Sequence, residues 1–150
     1  MSKICILTGQ PGSGKTTIAN KIVDKSEEKW FIIDGDDIRA IFDNKDYTRK
    51  GREKNIELSH NIAKYLTSKN ENVIISLVSP YREFRNELKK LYDNVLEVYV
   101  YTDEIRGREH YFCDDYEEPI SNFLEICTNN VSIDSCAYEI LIKFKDYTNQ

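Results

Sequence analysis

Nine residues near the start of the chain have the composition of a phosphate-binding loop. Residues 9–17 match G-x-x-x-x-G-K-[ST] in full, between an apolar strand and a helical pattern. The glycines let backbone N–H groups surround phosphate oxygens, and the helix N-terminus adds partial positive charge. The lysine of such a loop reaches the β- and γ-phosphates, and the next hydroxyl binds magnesium. The residues assigned to ATP binding are Gly9, Gln10, Pro11, Gly12, Ser13, Gly14, Lys15, Thr16 and Thr17.

A phosphate loop by itself does not separate a kinase from a GTPase or ATPase switch. The GTPase base-reading strings N-K-x-D and S-A-K are absent from the chain, and so is an ABC-type signature. The alternative is a glycine-rich turn before a helix, with Lys15 a solvated surface residue. The complete motif and its strand–loop–helix setting favour the phosphate loop.

A second charged motif, Asp-Gly-Asp-Asp-Ile-Arg, follows the second predicted strand at residues 34–39. Phosphoryl transfer to a hydroxyl needs an in-line acceptor, charge compensation and a group that takes the hydroxyl proton. We assign Asp36 as the candidate catalytic base, with Lys15 as its catalytic partner on the donor side. Arg39 would approach an anion on the acceptor.

Asp34 precedes the candidate base by two residues and has two possible roles. With Thr16 it forms the candidate magnesium site, and it also borders the acceptor. The alternative for both aspartates is that they cap a helix over residues 37–42, which aspartate does well.

Three motifs in chain order resemble the adenylylsulfate kinases. That family transfers the ATP γ-phosphate to the ribose 3′-hydroxyl of adenosine 5′-phosphosulfate. The resemblance extends from the phosphate loop to about residue 119. The motifs that carry it are Asp34-Gly-Asp-Asp-Ile-Arg39, Arg52-x-x-Asn55-Ile56 and Ser79-Pro80-Tyr81-Arg82-x-x-Arg85.

The resemblance implies roles for individual residues. Asp36 matches the catalytic aspartate, and Tyr47 takes the place of a phenylalanine that stacks on the acceptor base. Ser79 matches a serine at the sulfate end of the acceptor, and Arg108 matches an arginine of the lid that would contact ATP. The acceptor-binding residues expected on this basis are Asp34, Asp36, Arg39, Tyr47, Arg52, Asn55, Val78, Ser79 and Phe112.

The chain departs from the family where the acceptor would be recognised. Gly51 precedes Arg52, where the family usually has aspartate before arginine. The family's long lid is shortened to residues 103–119, and Phe112 stands in for its second stacking aromatic. Adenylylsulfate-kinase-like proteins include the cytidine diphosphoramidate kinases of capsule modification. The acceptor can therefore be adenylylsulfate, in sulfate activation, or cytidine diphosphoramidate, in capsule modification.

Alternating apolar bursts and helical patterns predict the elements that position these residues. We expect strands at Ile4–Leu7, Trp30–Ile33, Val73–Val78, Val95–Val100 and Val131–Ile133, and helices at Gly14–Lys25, Arg49–Ser68, Tyr81–Tyr92, 119–127 and Ser135–Tyr147. This order predicts one domain, residues 1–150, with an α/β P-loop NTPase-type three-layer sandwich: a five-stranded parallel sheet with helices on both faces. Ligands then bind beyond the carboxyl ends of the strands.

The composition of the chain indicates which kinds of partner it binds. A net charge of −5, from 21 basic and 26 acidic residues, disfavours nucleic-acid binding, and the apolar runs are too short to cross a membrane. The four cysteines form no C-x-x-C pair, which favours reduced thiols in a cytoplasmic protein. We therefore expect a small nucleotide substrate, with a homodimer left open. The alternatives are a non-catalytic nucleotide-binding regulator and a kinase for another small-molecule hydroxyl.

Overall fold

The computed structural model describes residues 2–148, in five strands and five α-helices that alternate over most of the chain. The strands are β1 Ile4–Thr8, β2 Trp30–Asp34, β3 Asn72–Ser76, β4 Val95–Tyr101 and β5 Phe123–Cys127. The helices are α1 Lys15–Lys25, α2 Gly35–Ile41, α3 Arg49–Ser68, α4 Arg82–Leu91 and α5 Ile133–Thr148, with a short 3₁₀ turn at Glu109–Tyr111.

The strands form one parallel sheet in the order β2-β3-β1-β4-β5, which confirms the predicted P-loop NTPase-type architecture. At the carboxyl edge of the sheet, Ser76 of β3 pairs with Leu7 of β1 on one side and with Asp34 of β2 on the other. The loops that follow these three strands therefore lie side by side, where open α/β sheets bind ligands.

The sheet is buried on both faces, as β1 illustrates. Cys5 and Leu7 pack with the side chains of α1 and α5, whereas Ile4 and Ile6 pack with those of α3 and α4. Successive strand residues point to opposite faces, so an apolar run without alternation requires helices on both sides.

The third strand ends two residues before its predicted end. The prediction was Val73–Val78, but β3 stops at Ser76. Residues 77–79 consequently leave the sheet, and all three line the cleft described below.

Two predictions near the end of the chain are wrong. The segment from Pro119 to Cys127 is not a helix, because its last five residues form β5, which pairs with β4. Val131–Ile133 is not a strand, because Ile133 begins α5. The hydroxyl of Ser132 accepts a hydrogen bond from the Ser135 N–H at 3.4 Å, a contact typical of a helix N-cap.

Among residues 2–148, no helix combines the length and apolar character needed to cross a membrane.

Candidate active site

The phosphate loop connects β1 to α1 and depends on its glycines. Gly12 and Gly14 have φ angles of 83° and 109°, in the left-handed region that other residues rarely adopt. A Cβ on Gly9 would lie 2.1 Å from the carbonyl oxygen of Val100 on β4. The glycines thus serve both the backbone curl and the packing of the loop on the sheet.

Lys15 is buried at the first turn of α1. Its Nζ donates to the carbonyl oxygens of Gly9 and Gln10 at 2.8 and 3.0 Å. Burial lowers the pKa of Lys15 to about 8, and the nearby carboxylates of Asp34 and Asp36 partly oppose that shift. The ammonium group is therefore held in a desolvated site where it would interact strongly with phosphate oxygens.

Two residues from distant parts of the chain support the phosphate loop. The Arg106 guanidinium donates to the carbonyl oxygens of Gly12 and Ser13 at 3.1 and 3.2 Å. The buried hydroxyl of Thr128 donates to the same Ser13 oxygen at 2.6 Å. Arg106 therefore contacts the backbone of the loop. Thr128 carried no signal in the sequence.

Asp34 at the end of β2 and Asp36 at the start of α2 have different contacts, which distinguishes between the roles that the sequence left open. One Asp34 oxygen accepts a hydrogen bond from the Asp36 N–H at 2.9 Å and caps α2, and the other accepts from the Thr16 hydroxyl at 3.1 Å. Asp36 is exposed in the cleft, and within residues 2–148 no hydrogen bond to its carboxylate is present. Helix capping is therefore the role of Asp34, while the Asp36 carboxylate faces the cleft.

Thr16 and Asp34 have the chemistry of a magnesium site. Both offer oxygen ligands, and magnesium is commonly bound by one or two protein groups together with substrate phosphates and water. No group of three or more His, Cys, Asp and Glu side chains forms a separate metal site in the described part of the chain. The residues present fit the predicted ion.

Arg39 holds the loop that carries Tyr47. Its Nη1 donates to the carbonyl oxygens of Asn44 and Asp46 at 3.2 and 3.0 Å. The Arg39 guanidinium also lies 4.0 Å from the centre of the Tyr47 ring. Arg39 and Tyr47 therefore form one unit in the wall of the cleft, stabilised in part by a cation–π contact.

Gly51 permits that loop to lie directly on α3. A Cβ at this position would lie 2.0 Å from the Asp46 carbonyl oxygen, and the Asn44 side chain donates to the Gly51 carbonyl at 2.9 Å. A side chain at residue 51 would displace the loop. The glycine at residue 51, where the family usually has aspartate, therefore affects the position of the loop that carries Tyr47.

Two predicted acceptor residues project from the first turns of α3. Arg52 donates to the Cys113 sulfur at 3.1 Å and lies 3.7 Å from Asp115. Asn55 is buried and donates to the Gly35 carbonyl at 3.4 Å, while its side-chain oxygen has no hydrogen-bond partner within the described residues. Asn55 is also one of the residues that line the cleft.

Ser79, a predicted acceptor residue, has a strained and buried position in the wall of the cleft. Its φ angle is 45°, and its hydroxyl lacks a hydrogen-bond partner among residues 2–148. Its carbonyl accepts from Arg85, whose side chain is wholly buried and forms a 2.7 Å ion pair with Glu97. Glu97 is on β4, so this ion pair joins α4 to the sheet.

These residues enclose a cleft of about 940 Å³, at the upper end of the size range of small-molecule sites. Four predicted site residues do not line it: Gly9, Gln10, Ser13 and Phe112. The predicted residues that line it are Pro11, Gly12, Gly14, Lys15, Thr16, Thr17, Asp34, Asp36, Arg39, Tyr47, Arg52, Asn55, Val78, Ser79 and Arg108.

The segment predicted to be a shortened lid, residues 103–119, contributes to the cleft an aromatic residue other than the predicted one. Phe112 is 39 % exposed and does not line the cleft, whereas its neighbours Tyr111 and Cys113 do. The Arg108 guanidinium lies 5.4 Å from the Tyr111 ring centre. Adjacent residues of an irregular segment point in directions that the sequence pattern does not specify, so the choice between them needed the fold.

The sequence model for adenylylsulphate kinase matches residues 1–110, from β1 through the first part of the lid. The chain belongs to the adenylylsulphate kinase family. It is 31 % identical over 163 aligned positions to a probable adenylyl-sulfate kinase from Pyrococcus abyssi, covering 93 % of each chain. It is an adenylylsulphate-kinase-like phosphotransferase with an alcohol group as acceptor.

Two further comparisons bear on the acceptor and on the fold of this family member. A cytidine diphosphoramidate kinase from Campylobacter jejuni is 33 % identical over 100 positions, covering 65 % of this chain and 59 % of that protein. The APS kinase CysC from Mycobacterium tuberculosis, solved with AMPPNP and APS, superimposes with a TM-score of 0.79. At 20 % identity, with 99 % and 98 % of the two chains covered, that likeness shows the fold.

Proposed function

We propose that this kinase transfers the ATP γ-phosphate to the ribose 3′-hydroxyl of a nucleotide whose 5′ end carries a mixed anhydride. The observation that supports it most is the placement of Asp36 in one cleft with Lys15 and with the acceptor residues Arg52 and Ser79. Lys15, Asp36 and Ser79 come from the segments that follow β1, β2 and β3, and Arg52 comes from α3. Adenylylsulfate and cytidine diphosphoramidate both satisfy this description.

The donor half binds and orients ATP. Backbone N–H groups of the phosphate loop surround the β-phosphate, and the Lys15 ammonium offsets charge on the γ-phosphoryl group. Thr16 and Asp34 would hold magnesium, which supplies charge compensation for the phosphates when bound. Arg108 lies in the lid wall of the same cleft and presents a further cation to the donor.

The acceptor half presents the hydroxyl in line with the γ-phosphorus. Asp36 accepts the proton of the 3′-hydroxyl as its oxygen forms a bond to the γ-phosphorus. The bond between that phosphorus and the β–γ bridging oxygen breaks, and ADP leaves with the electron pair. Arg52 and Asn55 hold the acceptor nucleotide, and the free Ser79 hydroxyl meets its 5′ group.

Base stacking on Tyr47 favours neither acceptor. One part of the Tyr47 surface is occupied by the Arg39 guanidinium at 4.0 Å, so the base would use the remaining face. Stacking on an aromatic ring depends little on the identity of the base. The short lid offers few groups to enclose a purine, which supports weaker discrimination for adenine, with a preference for cytosine as one outcome.

The direct test is ADP release measured with a panel of nucleotides that differ in base and in 5′ group. Adenylylsulfate and cytidine diphosphoramidate then compete at equal concentration, with Lys15→Met as the control for contaminating kinases. Strong preference for adenylylsulfate would contradict the reassignment to a pyrimidine acceptor. Turnover of sugars alone would identify a small-molecule kinase, and ATP binding without turnover a regulator. Cytoplasmic location and a homodimer stay predictions.

A further inference from the structure

The side chain of Gln10 in the phosphate loop pairs with a peptide group of the lid. Its Nε2 donates to the Cys113 carbonyl at 2.9 Å, and its Oε1 accepts from the Cys113 N–H at 2.9 Å. The amide thus satisfies both backbone groups of one residue that lies 103 positions away in the chain. A glutamine is well suited to this, because its amide carries a donor and an acceptor side by side.

In this arrangement the backbone of the phosphate loop and the side chain of Gln10 have different roles. The loop binds phosphate through backbone N–H groups, so the side chain at residue 10 is not needed for that purpose. Gln10 does not line the cleft. Its side chain instead contacts Cys113, within the lid segment.

Cys113 in turn contacts a predicted acceptor residue. Its side chain is buried, and its sulfur accepts a 3.1 Å hydrogen bond from Arg52 Nη1. The thiol donates to Asp115 at 2.8 Å, and Asp115 lies 3.7 Å from Arg52. The position of the Arg52 guanidinium is therefore set by Cys113 and Asp115, and that of Cys113 by Gln10.

We propose that Gln10 is a positioning residue that couples the donor loop to the acceptor site by holding Cys113 against Arg52. The proposal rests on the proposed function, since it assigns Arg52 to the acceptor. It gives the variable second position of the phosphate loop, which does not itself line the cleft, a role in acceptor binding through Cys113, which does.

The variant Gln10→Met keeps the length of the side chain and removes both hydrogen bonds. We expect it to raise the acceptor KM about tenfold, as for the loss of a pair of hydrogen bonds. The KM for ATP should stay within about twofold, because the backbone that binds ATP is unchanged. A rise in the ATP KM alone, or no change in either, overturns the proposal.

Two comparisons distinguish coupling from a general loss of structure. Arg106→Met removes the contact of the lid with Gly12 and Ser13, on the donor side, and should raise the ATP KM instead. In an Arg52→Ala background, Gln10→Met should change the acceptor KM little, because the group that it positions is gone. Additive effects of Gln10→Met and Arg52→Ala would contradict the coupling.

The thiol of Cys113 gives a readout that needs no acceptor. We expect Gln10→Met to increase its alkylation by iodoacetamide several-fold by mass spectrometry, as local opening becomes easier. Cys5 and Cys136, buried elsewhere, are internal references. If the wild type turns over no nucleotide acceptor, the proposed function fails. Unchanged labelling of Cys113 then also overturns the Gln10 contact, and increased labelling supports it.

Discussion

The hydroxyl of Thr16 donates a 3.1 Å hydrogen bond to the Asp34 carboxylate, which joins the start of α1 to the carboxyl end of β2. The other oxygen of that carboxylate accepts from the backbone N–H of Asp36. One side chain therefore fixes the hydroxyl proposed for magnesium and the backbone of the proposed base. The two aspartates should respond differently to substitution.

Asp36→Asn should lower kcat by about 10²–10⁴, because a general base is lost. The melting temperature and the ATP KM should remain close to those of the wild type, since this carboxylate is exposed in the cleft. Asp34→Ala should instead destabilise the fold by about 1 kcal/mol through loss of the cap. Steady-state kinetics and thermal melting separate the two; an unchanged kcat for Asp36→Asn would reject the base.

Lys15→Met should abolish most turnover, with kcat lower by about 10²–10³, and should raise stability at neutral pH. The pKa of Lys15 is about 8 in the folded protein, against about 10.4 when unfolded. Below pH 8 both states carry the charge, so the full cost of burying it is present. Between these values the unfolded state binds more protons, so the wild type gains stability relative to the variant as pH rises.

Urea unfolding of the wild type and Lys15→Met at pH about 7 and about 9.5 measures this difference. We expect the variant's advantage in free energy of unfolding, on the order of 1–3 kcal/mol at the lower pH, to shrink at the higher one. An advantage that grows with pH would contradict the burial of a charged lysine.

Tyr111→Ala and Phe112→Ala form a matched pair within the lid. Tyr111 lines the cleft and Phe112 does not. Loss of base stacking, worth about 1–3 kcal/mol, should raise the acceptor KM for Tyr111→Ala. Phe112→Ala should leave both KM values near those of the wild type. A larger rise in the acceptor KM for Phe112→Ala than for Tyr111→Ala would instead support Phe112 as the second stacking residue, as the family resemblance implied.

Gly51→Ala tests the contact between α3 and the Tyr47 loop, because the contact and helix propensity predict opposite changes in the free energy of unfolding. Helix propensity alone predicts stabilisation by about 1 kcal/mol. The added Cβ, 2.0 Å from the Asp46 carbonyl oxygen, predicts destabilisation by about 1–3 kcal/mol and a higher acceptor KM. Chemical unfolding decides between them, with Lys54→Ala, exposed on the same helix, as the control.

Arg85→Met should destabilise the fold by about 3–5 kcal/mol, because it leaves the Glu97 carboxylate buried without its main partner. Lys89 still donates to Glu97 at 2.7 Å, which limits the loss. Replacing both partners, Arg85→Met with Glu97→Leu, should recover much of the stability. If the double variant unfolds as easily as Arg85→Met, the cost has another origin.

Local patterns account for the elements whose signals were strong. The helix Arg49–Ser68 was predicted with the bounds that the structure has, because its apolar stripe repeats over twenty residues. The phosphate loop and the acidic motif were placed correctly at strand ends, since strand–helix alternation implies a parallel sheet. Their convergence in one cleft follows from that architecture.

The fifth strand could not be recognised in this way. Phe123–Cys127 is short, lies at the edge of the sheet and fully buries only Ile126. Five residues that are apolar apart from Glu125, in a segment that begins with Pro119, are compatible with a helix or a strand. Pairing with β4 supplies the backbone hydrogen bonds, and that partner is identified by the fold alone.

The sequence by itself determined the family, the parallel sheet and most residues of the cleft, because these follow from contiguous motifs and local periodicity. Only the tertiary structure decided which polar groups hold those residues in place. The Gln10 side chain hydrogen-bonds to the Cys113 backbone, and the Thr128 hydroxyl hydrogen-bonds to the Ser13 carbonyl. Gly51 allows a close approach of the Asp46 backbone. The first two contacts join residues about a hundred positions apart, and all three depend on how neighbouring loops settle on the sheet edge, which no local pattern encodes.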